Sequence, residues 1–147
     1  MLCIIQARSN SKRFKNKVLH RIYGLPIIQH VIDRAKRCKK IKKLIVSSSL
    51  KKNDDNLISY LRKNKIKFFR GDLENVANRL YKTAKINKAN SFVRISGDSP
   101  MIDPRLIDKA IEISLKEKEH DIITNVFPRT FPKGQSVEII KTSILKK

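Results

Sequence analysis

The sequence predicts an α/β fold in which helices cover both faces of a mostly parallel sheet. Short apolar runs, partly β-branched, alternate along the chain with longer stretches of helical period. This alternation is typical of β-α units packed around a parallel sheet. The chain has 147 residues, a length that suits one compact core. We therefore expect a single α/β domain over residues 1–147.

The apolar runs predict the strands, each of which ends at a polar or glycine-containing turn. They lie at residues 2–7, 44–48, 67–69, 91–95, 122–125 and 137–140. The stretches of helical period predict helices at residues 26–36, 54–64, 74–87 and 104–118, each with an apolar stripe on one face. Residues 142–147 look like the beginning of one more helix that stops early. We therefore expect the last strand to lack a covering helix, which would expose apolar surface to a partner subunit, mark a truncated gene product or loosen the structure.

Composition and charge exclude several classes of protein. No apolar run approaches the roughly 20 residues that a membrane helix needs, and the first residues lack the features of a secretory signal. The two cysteines, Cys3 and Cys38, have neither metal-site spacing nor a histidine nearby, so we expect buried thiols in a reducing cytoplasm. The formal net charge is +21. Lysines that scatter over solvent-facing positions explain it better than a nucleic-acid interface, since the densest cluster, residues 36–43, contains no aromatic residue for base stacking.

A basic loop, residues 6–17, follows the first predicted strand and is the first candidate site. It carries five cations interleaved with hydroxyl side chains, at the carboxyl end of a strand, where open α/β sheets bind ligands. Arginine forks, a lysine and backbone N–H groups together suit a triphosphate. On spacing alone, a solvated basic loop is an equally good interpretation.

Residues 5–19, IQARSNSKRFKNKVL, resemble the opening of the cytidylyltransferases of the CMP-KDO and CMP-sialic acid synthetase group, especially the spore-coat polysaccharide branch. That family's first strand leads into Q/P-A-R-x-x-S-x-R-L-P-x-K-x-L. The resemblance implies a Rossmann-like sheet of the nucleotide-diphospho-sugar transferase type, with Ala7 leaving room for the nucleotide base. It also implies that the CTP phosphates are held by Arg8, Ser11, Arg13 and Lys17. The family's usual Leu-Pro-Gly is replaced by Phe14-Lys15-Asn16, so the path of the loop is expected to differ.

A second block, residues 93–104, VRISGDSPMIDP, resembles the family's R-I-x-G-D-x-P-L-I-D-P. There Gly97 permits close backbone approach, and Asp98 is expected to offer an oxygen ligand to Mg²⁺ beside the phosphates. The alternative for Asp98 is a local Asx-turn. We expect Asp103, which precedes a proline, to cap the next helix.

Weaker similarities continue along the chain. Residues 69–81 resemble the segment that flanks the nucleotide base, and Arg79 is the candidate contact there, although it can equally pair with a helix neighbour. Asp54 lies in the turn after the second strand, or caps a helix. Residues 131–140 resemble the family's P-x-G-x-D-V-E segment, but Ser136 stands where an aspartate is usual. Glu138 is then the remaining candidate for a substrate contact in this segment.

The resemblance implies a cytoplasmic enzyme that transfers CMP from CTP to a nonulosonic or KDO-like sugar acid, releasing pyrophosphate, for cell-surface polysaccharide or glycan biosynthesis. Its catalytic residues would be Arg8, Lys17 and Asp98, with Mg²⁺ as cofactor. CTP and a sugar acid are the expected partners; a homodimer is allowed, a membrane is not expected, and nucleic acid is disfavoured. Three alternatives stay open: a CTP-binding remnant without turnover, a basic nucleic-acid-binding module, and, less favoured, a glycosyltransferase that uses a formed nucleotide sugar.

Overall fold

The structure, a computed structural model, describes residues 1–9 and 14–146. Over these residues the strands are, in chain order, β1 (Leu2–Gln6), β2 (Arg21–Ile22), β3 (Leu25–Pro26), β4 (Lys43–Ser49), β5 (Phe68–Gly71), β6 (Ser91–Ser96), β7 (Ile122–Thr124) and β8 (Glu138–Lys141). The α-helices are α1 (Ile27–Lys36), α2 (Asp55–Lys63), α3 (Val76–Ile86) and α4 (Pro104–Lys116). The predicted helices and strands are confirmed, with ends that move by one or two residues.

Within the described residues, the main sheet has six strands in the order β5-β4-β1-β6-β8-β7. Strand β1 lies at its centre, parallel to β4 on one side and to β6 on the other. Strand β8 is antiparallel to both β6 and β7, so the sheet is mostly parallel, as predicted. The chain leaves β1 toward β4 and β5 and then returns to β6 on the other side. The carboxyl ends of β1 and β6 therefore form the switch point at which such sheets bind ligands.

Apolar side chains on both faces of the sheet hold the helices. One cluster joins Cys3 and Ile5 of β1 to the apolar stripes of α1, α2 and α4. The other joins Leu2 and Ile4 to α3 on the opposite face. Because successive side chains of a strand point to opposite faces, the uninterrupted apolar run of β1 supplies both clusters. Helices on both faces are thereby confirmed.

The final segment differs from the prediction. Strand β8 lies inside the sheet, and Ile139 and Ile140 are only 4% and 6% exposed. A 3-10 helix, Thr142–Leu145, places Ile144 and Leu145 against the α3 face. The short helix start was predicted, but the expectation of an uncovered last strand was wrong, because the chain inserts β8 between β6 and β7.

A short hairpin that the sequence did not predict joins the basic loop to α1. Strands β2 and β3 pair antiparallel across Tyr23 and Gly24, which both have positive φ angles of 48° and 79°. Two residues with positive φ are the usual requirement of a tight hairpin turn. This explains the glycine that precedes the predicted helix.

Burial of the cysteines agrees with the prediction. Both thiols are free and buried, and burial raises the pKa of Cys3 strongly and that of Cys38 to about 12. Both cysteines are therefore protonated thiols at neutral pH and poor nucleophiles. No helix in the described part of the chain is long and apolar enough to cross a membrane.

Candidate active site

An ion pair joins the two predicted half-sites at the switch point. Lys17 Nζ donates to Asp98 Oδ2 at 2.7 Å, across 81 residues of sequence, and both side chains are a little over a third exposed. Partial burial alone would raise the pKa of Asp98, but the hydrogen bonds from Lys17 and from the Ser96 hydroxyl outweigh it, and the pKa lies below the ordinary value for an aspartate. Asp98 is therefore an ionised carboxylate within reach of solvent and ligands.

Gly97 brings the end of β6 against the end of β1. A Cβ atom at Gly97 would lie 2.7 Å from the Ala7 Cβ and 3.1 Å from the Gln6 carbonyl oxygen, and the Gly97 N–H donates to that same carbonyl at 2.8 Å. A glycine is thus required at residue 97 because its backbone packs closely against the end of β1. Ala7 is 3% exposed, so its methyl group fills the space beside Gly97.

The basic loop leaves β1 at Arg8, whose side chain is exposed at the carboxyl edge of the sheet. The loop closes at a neck formed by Ser9 and Asn16, where the Asn16 N–H donates to the Ser9 carbonyl at 2.9 Å. Of the predicted phosphate ligands, Arg8 and Lys17 flank this neck. Ser11 and Arg13 lie outside the described residues.

A buried carboxylate that the sequence interpretation did not place in the site lies beneath the neck. Asp54, 1% exposed, accepts from the Ser9 N–H at 2.5 Å and from the Ser49 N–H at 3.1 Å. The Ser49 hydroxyl donates to it as well. Asp54 stands at the N-cap position of α2, but its side chain makes no capping hydrogen bond, so side-chain capping is not its role.

Arg79 lies on the same edge, within the protein. Its side chain is 1% exposed, and Nη1 donates to the carbonyl oxygens of Asp72 and Leu73. Within the described residues, neither Nε nor Nη2 has a hydrogen-bond partner. Burial lowers the pKa of Arg79, against the opposing effect of the Asp54 carboxylate, and the positive charge of Arg8 lowers it further. Among the residues that the structure describes, these two nitrogen atoms thus lack an acceptor, close to Arg8 at the start of the basic loop.

A polar network continues this edge on the α3 face of the sheet. Arg94 Nε donates to Gln6 Oε1 at 2.9 Å, and Arg94 Nη1 donates to Glu138 Oε2. Glu138 is therefore an ion-pair partner of Arg94 before any substrate arrives. Ser136, at the position of the family's aspartate, accepts a hydrogen bond from Arg129 Nη1 at 3.3 Å.

Asp98 is the candidate metal ligand. No cluster of three or more histidine, cysteine, aspartate or glutamate residues that would suit a metal ion occurs in residues 1–9 and 14–146, so the protein alone offers no complete set of ligands there. Mg²⁺ in nucleotide sites commonly takes one or two carboxylates together with phosphate oxygens and waters. A half-buried, ionised Asp98 fits that pattern.

The opposite edge of the sheet holds a cavity of about 690 Å³ among Met1, Lys88 and Ile139. It is far from the switch point, because Met1 precedes β1. The lysine-rich turn at residues 36–43 lies at this amino-terminal edge too, where the Asp108 carboxylate accepts from the N–H groups of Lys39 and Lys40. The motif residues therefore select the carboxyl edge, and not this cavity, as the candidate active site.

Comparison with known proteins identifies a family. A family model described as cytidylyltransferase matches residues 2–144. The solved structure of a cytidylyltransferase from Leptospira borgpetersenii superimposes with a TM-score of 0.92 at 29% identity, over 99% of this chain and 62% of that one. The expected resemblance and the expected fold are both confirmed.

Two curated relatives point the same way. The spore coat polysaccharide biosynthesis protein SpsF of Bacillus subtilis is 29% identical over 99% of this chain and 60% of its own length. The 3-deoxy-manno-octulosonate cytidylyltransferase of Geobacter sulfurreducens is 34% identical over 74% of this chain and 42% of its own. The chain thus spans about half the length of these relatives.

Proposed function

The chain belongs to the cytidylyltransferase family, and we propose that it transfers CMP from CTP to a nonulosonic or KDO-like sugar acid. The observation that carries the proposal is the 2.7 Å contact between Lys17 and Asp98. It brings the basic loop and the Gly97-Asp98 turn together at the switch point of the sheet. A cation for phosphate and a carboxylate for a metal ion are the two groups that such a transfer requires.

The proposed reaction forms one bond and breaks one. The anomeric hydroxyl oxygen of the sugar acid attacks the α-phosphorus of CTP in line, pyrophosphate leaves, and the hydroxyl proton passes to solvent. Arg8, Ser11, Arg13 and Lys17 hold the phosphates and offset the charge that builds on the departing group. This chain needs no covalent nucleophile for the step.

Asp98 is the proposed ligand of Mg²⁺, which, when bound, neutralises charge on the phosphate oxygens. In the free protein, Lys17 occupies one oxygen of Asp98. With both ligands bound, Lys17 would pair with a phosphate and Asp98 would hold the metal ion. In the free protein, the Lys17 ammonium group and the Asp98 carboxylate thus neutralise each other until their ligands bind.

The base side of the proposed site lies around Ala7, Gly97 and Arg79. Support comes from Nε and Nη2 of the buried Arg79, which have no acceptor in the described part of the chain, since a buried donor is costly to leave unpaired. The close packing of Gly97 on Ala7 supplies a rigid wall at the end of β1. Both features suit a flat, hydrogen-bonding ligand such as a pyrimidine.

We place the reaction in the cytoplasm, in the biosynthesis of a cell-surface polysaccharide or glycan. Free, buried thiols suit a reducing compartment, and one relative is named for spore coat polysaccharide biosynthesis. A homodimer is part of the proposal. In the segment that would contact the sugar acid, Glu138 pairs with Arg94 and a serine stands at residue 136.

The test measures pyrophosphate release with CTP, Mg²⁺ and a panel of sugar acids, next to calorimetry with CTP alone. We expect CTP binding, turnover with at least one acid, and loss of most turnover in Asp98→Asn. The matched control is Asp121→Asn, which removes another lysine-paired aspartate, 3.0 Å from Lys141, and should leave turnover unchanged. Binding without turnover would mark a CTP-binding domain, whereas absence of both would refute the proposal.

A further inference from the structure

The Asp54 carboxylate links two strands at the carboxyl edge of the sheet. One oxygen accepts the N–H of Ser9, 45 residues away, and the other accepts the N–H and hydroxyl of Ser49 at the end of β4. These are charge-assisted hydrogen bonds, which are shorter and stronger than neutral ones. At 1% exposure, Asp54 keeps them out of competition with water.

Ser9 is the point at which the basic loop is held. Its N–H donates to Asp54, while its carbonyl accepts from Asn16 across the loop neck. Both backbone polar groups of one residue are thus fixed, by Asp54 in the turn that follows the neighbouring strand β4 and by the returning end of the loop. Asp54 therefore holds the neck of the loop, where Ser9 and Asn16 meet.

We propose that Asp54 is a positioning residue that pre-orders the basic loop for a triphosphate, an inference that rests on the proposed function. It acts on the ligand through the backbone of Ser9. A loop that is fixed before binding loses less conformational entropy when the ligand arrives. Asp54 thereby holds Arg8 and Lys17, which flank the neck, in place for the phosphates.

The position of Asp54 suits a residue that anchors the loop better than one that binds the phosphates or the metal ion directly. Its negative charge lies beneath the loop, buried, so it does not occupy the edge where phosphates would bind. It also offsets part of the charge of Arg79, as the Asp72 carboxylate does. Asp98, in contrast, is accessible at the open edge, where a metal ion can reach it.

The test combines amide exchange, followed residue by residue by NMR, with CTP calorimetry on Asp54→Asn. This variant keeps the size of the side chain but replaces one acceptor by a donor. We expect exchange at the Ser9 and Ser49 amides to rise at least about tenfold, and CTP affinity to fall about tenfold, the cost of ordering roughly one more residue on binding. The Gly97 amide, bonded to Gln6 on the same edge, should keep its exchange rate.

The matched control is Asp55→Asn at the next position. Asp55 has a side chain that is 53% exposed and pairs with Arg70, so its variant should change neither the exchange of Ser9 nor CTP affinity. Should Asp54→Asn fail to fold, Ser49→Ala takes its place, because it removes one of the three donors and should speed Ser9 exchange about threefold.

Three results would overturn the proposal: exchange that rises at Gly97 as much as at Ser9, CTP affinity that falls without faster Ser9 exchange, or no change in either measurement. Failure of the unaltered chain to bind CTP would refute the proposed function instead. Even then, the exchange of Ser9 decides whether Asp54 holds the loop.

Discussion

Two carboxylates anchor the basic loop, and their surroundings are opposite. Asp54 holds the beginning of the loop from beneath, buried, through backbone and hydroxyl donors, whereas Asp98 holds its end through the half-exposed ammonium group of Lys17. A buried, fully bonded anchor stabilises one loop conformation. An exposed ion pair contributes little to stability and exchanges readily for a ligand. Asp54 therefore acts as a structural anchor, whereas Asp98 is available to bind a ligand.

The largest effect on stability is expected from Asp54→Ala. Removing the carboxylate leaves the N–H groups of Ser9 and Ser49 and the Ser49 hydroxyl buried without an acceptor, at about 1–3 kcal/mol for each unsatisfied group. We expect a loss of about 3 kcal/mol in the free energy of unfolding, measured by urea denaturation. A loss as small as that of Asp55→Ala, within about 0.5 kcal/mol, would contradict the distinction between the two anchors.

A smaller loss in the free energy of unfolding is expected from Gly97→Ala, which tests the close packing of Gly97 on Ala7. The new methyl group would lie 2.7 Å from the Ala7 Cβ and 3.0 Å from Ile28 Cδ1, so β1 or α1 must shift. Overpacking of this kind costs about 1–3 kcal/mol. Denaturation midpoints measure the loss, and calorimetry should show weaker CTP binding as well. An unchanged midpoint would mean that the two strand ends separate easily.

Lys17→Met should affect binding more than stability. Its exposed partner Asp98 stays solvated, so the free energy of unfolding should change by less than about 1 kcal/mol, while CTP affinity falls about tenfold with the loss of a phosphate contact. Lys15→Met is the control, since Lys15 is an exposed cation of the same loop at a position where the family has proline. Equal losses of affinity in both variants would indicate general attraction to a basic loop.

The smallest effect concerns pH. The pKa of Asp98 is lowered in the folded protein, so the stability that its ion pair contributes is fully present above the unfolded pKa of about 3.9 and is lost as the pH falls through the lower folded value. The advantage of the unaltered chain over Asp98→Asn should therefore persist from about pH 7 to about pH 4. Urea denaturation at several pH values measures it. An advantage that disappears well above about pH 4 would contradict the lowered pKa.

The two anchors also differ in how far the sequence predicts them. Lys17 and Asp98 each follow an apolar strand within a recognisable motif, so both were predicted as site residues, although their mutual contact was not. Asp54 follows a strand as well, but an aspartate ahead of a helix suits a cap equally well, and its partner Ser9 lies 45 residues away. The network of Gln6, Arg94 and Glu138 was missed for the same reason, because its members come from separate strands.

The sequence by itself determined the alternation of strands and helices, the apolar faces, and the motifs that place cations and a carboxylate at strand ends. These follow from local periodicity and from the spacing of neighbouring residues. Only the tertiary structure decided that β8 inserts antiparallel beside β6, that Arg79 is buried, and that Asp54 anchors the loop while Asp98 stays within reach of ligands. Burial and pairing over 44 to 81 residues depend on which strands become neighbours, and local pattern does not encode that.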